Sequence, residues 1–386
     1  MLTPTRCVAS YLQTLWVLVV VLVNSGGSLS AQEGDADELS PNSVLTDAQW
    51  DQLESSVDSA IEFLATQQAI DGSFKSHEAG QPAVTSLCVL AFLSRGHTPI
   101  DGPYAKQLSK AIDFIISNQR DDGLICEVKR NQPMYSIAGS YNHAISGLTL
   151  CEVYGMTTAE QQKSIRPAIE SALGFTRQEQ HKAKRWVDDK GGWRYLDPSL
   201  AIDSDLSITS WHLMFYRSAR NAEFDIPKED IEAAASYVRK CYDDRIGSFC
   251  YGLRGYGRNS FSRSMAGAGA LSLSLAGDHK SRMAQRTGDF IRENSFNDFN
   301  RGALTREDRY YYGAFYCSQA MYQLGGDHFA DFYPGLLKTL VDNQNRDGSW
   351  DVEINETGGA LGFTYSTAFA VLALTPPYQM IPIFQR

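Results

Sequence analysis

One short pattern recurs along the chain and limits what it can fold into. Asn343-Gln344-Asn345-Arg346-Asp347-Gly348-Ser349-Trp350 has near copies in Gln67-Gln68-Ala69-Ile70-Asp71-Gly72-Ser73-Phe74 and in Asn118-Gln119-Arg120-Asp121-Asp122-Gly123-Leu124-Ile125. Looser copies are Lys190-Gly191-Gly192-Trp193-Arg194-Tyr195, Arg245-Ile246-Gly247-Ser248-Phe249-Cys250 and Arg292-Glu293-Asn294-Ser295-Phe296. The spacing is roughly 50 residues, with a longer insertion before Trp193, which is the signature of a repeat protein. Each copy reads as the end of a helix. Gln or Asn can bond the last free carbonyls, Asp-Gly makes a turn with Gly at positive φ, and the aromatic packs on the next repeat.

Two kinds of helix alternate between these turns. One kind is amphipathic: Trp50 to Gln67, Tyr104 to Gln119, Ala159 to Glu179, Lys228 to Tyr242, Ser281 to Asn294 and Phe329 to Asn343. Val57, Ala60, Ile61 and Leu64 show the three-four spacing of a single buried stripe. The other kind is apolar nearly all round: Val84 to Leu93, Tyr141 to Tyr154, Leu206 to Ala219, Ser264 to Ala276, Tyr311 to Leu324 and Tyr365 to Leu374. A helix apolar on every side must be buried on every side. The alternation predicts an all-α fold, an (α/α)6 toroid with six inner and six outer helices. The small residues from Ser264 to Ala270 let inner helices approach closely. No strand run competes with this reading.

Composition narrows the partners. The chain has 386 residues, 43% of them hydrophobic, and a formal charge of −10. That supports a large core and argues against a nucleic-acid partner, which usually needs a basic face. The acidity is spread along the chain and reads as solubility. Residues 1–30 read as a signal peptide. Arg6 supplies the positive start, Leu15 to Val23 a short apolar run, and Ser28-Leu29-Ser30 the small residues of a cleavage point. The run is too short to span a bilayer comfortably, so no transmembrane anchor is expected after cleavage. The protein is then exported, periplasmic or secreted. Residues 31–48 read as an acidic flexible leader and 49–386 as a single toroid domain.

Six cysteines follow the signal segment. Cys88, Cys151 and Cys317 lie in apolar runs and read as small core residues. Cys241 and Cys250 flank a turn, and the sequence leaves open a disulfide or two free thiols. None has the paired spacing of a zinc knuckle, so no metal or other cofactor is expected.

The Gln-x-x-Asp-Gly-Ser-Trp turns, each followed by a small-residue inner helix, resemble the prenyltransferase and squalene-oxidase repeat. That repeat builds the toroids of squalene-hopene cyclases and of protein prenyltransferase β-subunits. The resemblance runs from about Trp50 to about Leu374, and it implies the fold more specifically than the chemistry. Class II triterpene cyclases protonate an alkene with the central acid of an Asp-x-Asp-Asp-Thr motif. The nearest segment is Asp203-Ser204-Asp205-Leu206-Ser207-Ile208-Thr209. Asp205 matches the acid and Asp203 the first carboxylate, while Leu206 replaces the last Asp. Such an acid needs preorganised neighbours. The plainer reading is that Asp203 or Ser204 caps the third inner helix, with Asp205 at its positive end. Zinc prenyl transfer is not implied. Gly313, within Tyr310-Tyr311-Tyr312-Gly313-Ala314-Phe315-Tyr316-Cys317, stands where that family carries its His, and no Asp-x-Cys occurs.

A central cavity would be rimmed by inner-helix N-termini. Its candidate lining is Tyr141, Asn142, His143, Trp211, His212, Arg263, Arg309, Tyr310, Tyr311, Tyr312 and Tyr365. Aromatic walls suit an isoprenoid or another apolar small molecule. For any single ring, filling the toroid centre is the simpler role, and a lone His in an apolar run is ordinarily a satisfied core residue. Two function classes follow. One is a terpenoid-cyclase-like enzyme, an isomerase, or an isoprenoid binder. The other is a catalytically silent toroid that serves as an envelope protein-interaction module. A third, an exported (α/α)6 glycosidase or lyase, needs paired carboxylates in a cleft, and Asp203 with Asp205 alone is a weak pair.

Overall fold

The computed structural model describes residues 43–198, 201–300, 308–354 and 356–386, without the side chains of 356–358. The residues read as a signal peptide, and most of those read as the 31–48 leader, lie outside the described residues. Six outer helices are α1 (Asp47–Thr66), α3 (Ala105–Ser117), α5 (Ala159–His181), α7 (Lys228–Lys240), α10 (Arg282–Glu293) and α12 (Gly326–Asp342). Six inner helices are α2 (Ala83–Ser94), α4 (Tyr135–Val153), α6 (Leu206–Asn221), α9 (Arg263–Leu275), α11 (Tyr310–Leu324) and α13 (Glu356–Leu374). A single turn, α8 (Gly255–Arg258), lies between α7 and α9.

The inner helices close a ring. α2 packs on α4, α4 on α6, α6 on α9, α9 on α11, α11 on α13, and α13 back on α2. The outer helices sit around them, and α12 meets α1 where the ring shuts. The fold is an all-α α/α toroid. Burial follows the two sequence patterns. Val57, Ala60, Ile61 and Leu64 are the buried stripe of α1, whereas every residue of α2 is buried. Thr46 and Gln49 start α1 with a reciprocal capping box.

The recurrent turns are the stitches of the outer ring. Gln68 Nε2 donates to Gly72 O (3.0 Å) in its own turn and to Gln107 O (2.8 Å) on α3. Gln119 does the same to Gly123 and Ala168, Gln180 to Gly191 and Asp230, and Gln344 to Gly348 and Ser56. Gly72, Gly123, Gly191 and Gly348 all take φ of about +90°, and a Cβ on any of them would lie within 2.1–2.3 Å of a carbonyl oxygen on the next outer helix. Glycine is required there twice over, for its dihedral and for the space. The ring side chain of the turn then points inward. Phe74, Ile125, Trp193 and Trp350 each donate their backbone N–H to a side chain on the inner helix that follows: Thr85, His143, Thr209 and Thr367.

Several elements differ from the sequence reading, α4 among them, which starts at Tyr135 rather than Tyr141. The fourth turn is a small hairpin, β1 (Tyr242–Asp243) against β2 (Ser248–Phe249), although no strand was expected. Gly247 at φ +75° and the Asp243 carboxylate, which accepts the Arg245 N–H (3.0 Å), hold its tip. The last inner helix starts well before Tyr365, because Gly362 at φ +85° lets two helical segments join across a kink.

Candidate functional site

The centre of the ring is filled. Trp211 stacks on Phe315 (centroids 5.6 Å apart), and Phe315 in turn meets Phe369 and Phe384. The C-terminal turn Pro382–Phe384 packs on α6 and covers the end where the inner helices finish. Glu152 lies beneath it, fully buried, accepting from Ser218 Oγ and from Ile383 N. Burial pushes its carboxyl up to about 7, against the pull of those two hydrogen bonds.

The opposite end, where the inner helices begin, is polar and aromatic. Asp205 is its anchor. It is the N-cap of α6, its Oδ1 accepting from Ile208 N at 2.8 Å, and it is completely buried. The expectation that Asp203 or Ser204 would cap this helix is therefore corrected by one or two residues. Trp193 and Asp205 pair as an isolated antiparallel bridge, and that fixes the start of α6 at Leu206. The same bridge delivers the neighbour of Trp193. Arg194 Nη1 lies 2.5 Å from Asp205 Oδ2. Burial raises the Asp205 carboxyl above its ordinary value, while Arg194 and the Ile208 N–H pull it down. Arg194 also donates to the hydroxyls of Tyr251 (2.9 Å) and Tyr256 (2.8 Å), and its guanidinium lies over the Tyr195 ring at 4.2 Å. Asp203 does not join Asp205. It turns away to Arg185, accepting from the backbone N (2.6 Å) and from Nη2 (2.6 Å). Burial acts upward on Asp203 too, but these bonds and the Arg185 charge hold it below the usual carboxylate range.

The expected cavity residues separate into two groups. Tyr141, Arg309, Tyr312 and Tyr365 do gather at the mouth. Ser207 Oγ lies 2.8 Å from both the Tyr141 and Tyr312 hydroxyls, and Tyr312 also accepts from Trp211 Nε1. Burial raises the pKa of the Tyr365 hydroxyl, and the neighbouring Arg309 charge opposes it. The others lie elsewhere in the structure, with the partners that follow. His143 fills the place held by threonine in three other repeats. Its Nδ1 accepts from Ile125 N (3.1 Å), and its Nε2 faces Thr176 Oγ1 (2.9 Å). Burial drives its pKa down to about 3, so it is a neutral core histidine. His212 is buried, stacked on Trp193 at 4.8 Å with planes 7° apart, and burial holds it neutral as well. Arg263 is sealed beneath Phe296, its Nε on Asp308 (2.8 Å). Tyr311 points to Asp351 O (2.7 Å) and Tyr310 to Phe296 O (3.0 Å), away from the mouth. Asn142 accepts the Ala83 N–H and so serves the start of α2. Trp211 belongs to the filled centre.

Sequence reasoning missed Arg194, Tyr195, Tyr251 and Tyr256, and also Glu353. Glu353 Oε1 accepts from Tyr311 N (3.1 Å), while its buried Oε2 has no partner. Burial pushes Glu353 up to about 7, with Arg309 opposing. The nearest signal was Arg194-Tyr195 itself, which directly follows a turn aromatic. Among the described residues no cluster of His, Cys, Asp or Glu is placed to hold a metal ion. Away from the mouth, a surface cleft of about 510 Å³ runs along the first turn, with Asp71, Glu78, Glu127, Lys75 and Gln81 among its lining.

No family model matches the sequence, and no curated protein matches it. Solved structures do share its fold. A family 76 glycoside hydrolase from a bovine Bacteroides thetaiotaomicron strain is 9% identical, with a TM-score of 0.60 over 84% of this chain and 77% of that one. A variant of the type II terpene cyclase MstE from Scytonema, bound to geranylgeranyl dihydroxybenzoate, is 12% identical, with a TM-score of 0.56 over 87% of this chain and 100% of that one. An inactive variant of the α-1,6-mannanase GH76A of Salegentibacter sp. HEL1_6, with α-1,6-mannotriose, is 11% identical, with a TM-score of 0.54 over 84% of this chain and 98% of that one. Likenesses at this level of identity establish the α/α toroid fold and nothing narrower.

Proposed function

We propose that this protein is an exported, catalytically silent toroid that binds a partner in the cell envelope through the mouth of its inner ring. The carrying observation is the Arg194–Asp205 pair. An acid that protonates an alkene must present an O–H to the substrate. Both Asp205 oxygens are engaged, one by a guanidinium and one by a backbone N–H. The filled ring centre argues the same way, since a cyclising polyprene needs room to fold. What the mouth offers is a recognition surface. Tyr141, Tyr195, Tyr251, Arg194 and Arg309 are half-buried, and Tyr256, Phe363 and Met134 are exposed at helix starts nearby. Tyrosine and arginine are enriched where proteins bind each other. No helix among the described residues is long and apolar enough to cross a membrane. The test is incubation of wild type and Asp205→Asn with squalene and shorter polyprenes. No product is expected from either. A cyclised product from wild type that vanishes in Asp205→Asn overturns the reading, and an isoprenoid found by mass spectrometry on the purified protein would replace the protein partner with a lipid one.

A second reading rests on the surface cleft. Burial, with Glu78 and Asp71 nearby, raises the Glu127 carboxyl above its ordinary value. Paired carboxyl groups in a cleft are what glycoside hydrolysis requires, and two of the toroids similar in fold are mannan-degrading or glycoside-hydrolysing enzymes. Release of reducing sugar from α-1,6-mannan by wild type, lost in Glu127→Gln, would support it. Silence of the wild type removes it for that substrate.

A further inference from the structure

The hairpin that replaces the fourth turn sets two cysteines opposite each other. Its register pairs Asp243 with Ser248 and Tyr242 with Phe249. The next rung is Cys241 with Cys250, closed by Cys250 N donating to Cys241 O at 2.9 Å. Both residues are buried, side by side on this rung. Directly opposed residues of an antiparallel pair hold their Cβ atoms about 4.5–5.5 Å apart, close to the roughly 3.5–4.5 Å that a disulfide spans. This rung is the last of its ladder, with the helix α7 on one side and an irregular segment on the other, so a small approach costs little. The remaining buried cysteines, Cys88, Cys126, Cys151 and Cys317, have burial pushing their thiols up.

The second observation is what lies beyond the rung. Cys250 Sγ accepts from Arg258 Nη1 (3.6 Å) and lies 3.3 Å from Gly252 O. The segment from Tyr251 to Ser260 passes over it and turns back, with Tyr251 N donating to Ser260 O (2.9 Å). Tyr251 is next in sequence to Cys250. Its carbonyl accepts the Leu206 N–H (2.8 Å) at the start of α6, and its hydroxyl accepts from Arg194. Tyr256, on the same segment, takes the other arm of Arg194. One covalent bond away from the cysteine rung is therefore the scaffold of the mouth.

The geometry points to a disulfide site: Cys241 and Cys250 of the folded chain exchange with a disulfide-bearing oxidant and close an intramolecular bond that fixes the 251–260 strap. The Cys250 thiolate attacks one sulfur of the donor disulfide, forming a mixed disulfide and expelling the first donor thiolate. The Cys241 thiolate then attacks Cys250 Sγ and expels the second. The donor gains two electrons and takes up the two thiol protons, and the protein loses both. Cys250 is the better attacking group. The hydrogen bond from Cys241 and the neighbouring Arg258 hold its pKa down to about 7 against burial, and a thiolate is the reactive form. The inference is independent of what the mouth binds.

The experiment equilibrates the purified, reduced protein with a glutathione and glutathione-disulfide buffer. It then alkylates under denaturing conditions and maps the cysteines by mass spectrometry. Expected is loss of two thiols as a Cys241–Cys250 peptide pair, with Cys88, Cys126, Cys151 and Cys317 all alkylated. Cys241→Ser should trap Cys250 as a glutathione adduct, and Cys88→Ser should leave the bond unaffected. Hydrogen exchange at the Tyr251 amide should slow several-fold on oxidation, because its partner strap is then closed at both ends. Cys241 and Cys250 both alkylated in oxidised wild type, or a bond mapped to any other pair, overturn the assignment. Unchanged exchange at Tyr251 overturns the link to the strap.

Discussion

Replacing Gly348 by Ala asks how tightly the toroid is sewn, and a second glycine supplies the control. Gly348 has φ +89° and Gly102 has φ +93°, so alanine meets nearly the same backbone strain at both, about 1 kcal/mol. The surroundings differ. A Cβ on Gly348 would lie 2.1 Å from Ser59 O and 2.6 Å from Ser59 C, whereas nothing lies within 4 Å of one on Gly102. Carbon and carbonyl oxygen settle near 3.3 Å, so the turn must withdraw from α1 by roughly 1 Å. That withdrawal stretches two bonds across the closing seam of the ring, Gln344 Nε2 to Ser56 O (2.9 Å) and Ser56 Oγ to Gln344 Oε1 (2.8 Å). Each is worth about 1 kcal/mol net. Gly348→Ala should therefore cost about 3 kcal/mol and Gly102→Ala about 1 kcal/mol. Urea unfolding followed by tryptophan fluorescence measures both, provided the slopes match. Equal midpoint shifts would refute the close-approach argument and leave only the dihedral.

Three further outcomes follow from the same structure. Arg194→Met strands Asp205 as a buried charge and should cost about 3–5 kcal/mol, while adding Asp205→Asn should recover a large part; a double-mutant cycle with no coupling would refute the pair's importance. His143 titrates near 3 when folded and near 6.5 when unfolded, so the unfolded chain takes the proton first and stability falls as pH drops from about 6.5 toward 3, by up to about 1.4 kcal/mol per pH unit. His143→Thr keeps an acceptor for Ile125 N and should remove that share of the slope, read from unfolding free energies at several pH values. Glu152 behaves oppositely: its folded value near 7 lies above the ordinary one, so stability is lost as pH rises from about 4.5 to 7, and Glu152→Gln should stabilise the protein at pH 8 by on the order of 3 kcal/mol but barely at pH 4.

The fold was legible because its signals are local. Asp-Gly turns need only their own residues, and a helix such as α2, apolar on every face, has only the inside to go to. The mouth was not legible, because its pairs are made by folding. Arg194 and Asp205 sit 11 residues apart and meet only through the bridge between Trp193 and Asp205. His143 drew attention as a solitary histidine in an apolar run. Its true equivalents, Thr85, Thr209 and Thr367, emerge once the inner helices are superposed, because the loops from turn to helix differ in length. The hairpin at 242–249 escaped for a similar reason, since strands of two residues carry no period to read. Gln180 was also hidden. It makes the same bonds as Gln68, Gln119 and Gln344, but an insertion separates it from its glycine.

Where a repeat protein departs from its own repeat, some demand other than packing has been met. Four turns of this ring obey one geometry, with Gln bonded to the glycine of its own turn and to the next outer helix. The third obeys it only at its ends, and the stretch between Gln180 and Gly191 carries Lys184, Arg185 and Trp186 out to the mouth. The fourth abandons it for a hairpin and the strap beyond. The fifth, at 294–296, lacks it as well, but the third and fourth are neighbours and grip each other. Arg254 of the strap lies over Trp186 at 5.1 Å and pairs with Asp188 at 3.1 Å, while Arg185 covers the other Trp186 contact at 4.5 Å and holds Asp203. Arg194 joins them from beneath, through Tyr251 and Tyr256. The third and fourth departures thus converge on one face, the mouth, and that convergence, rather than any single residue, is what supports our proposal that this toroid binds its partner there.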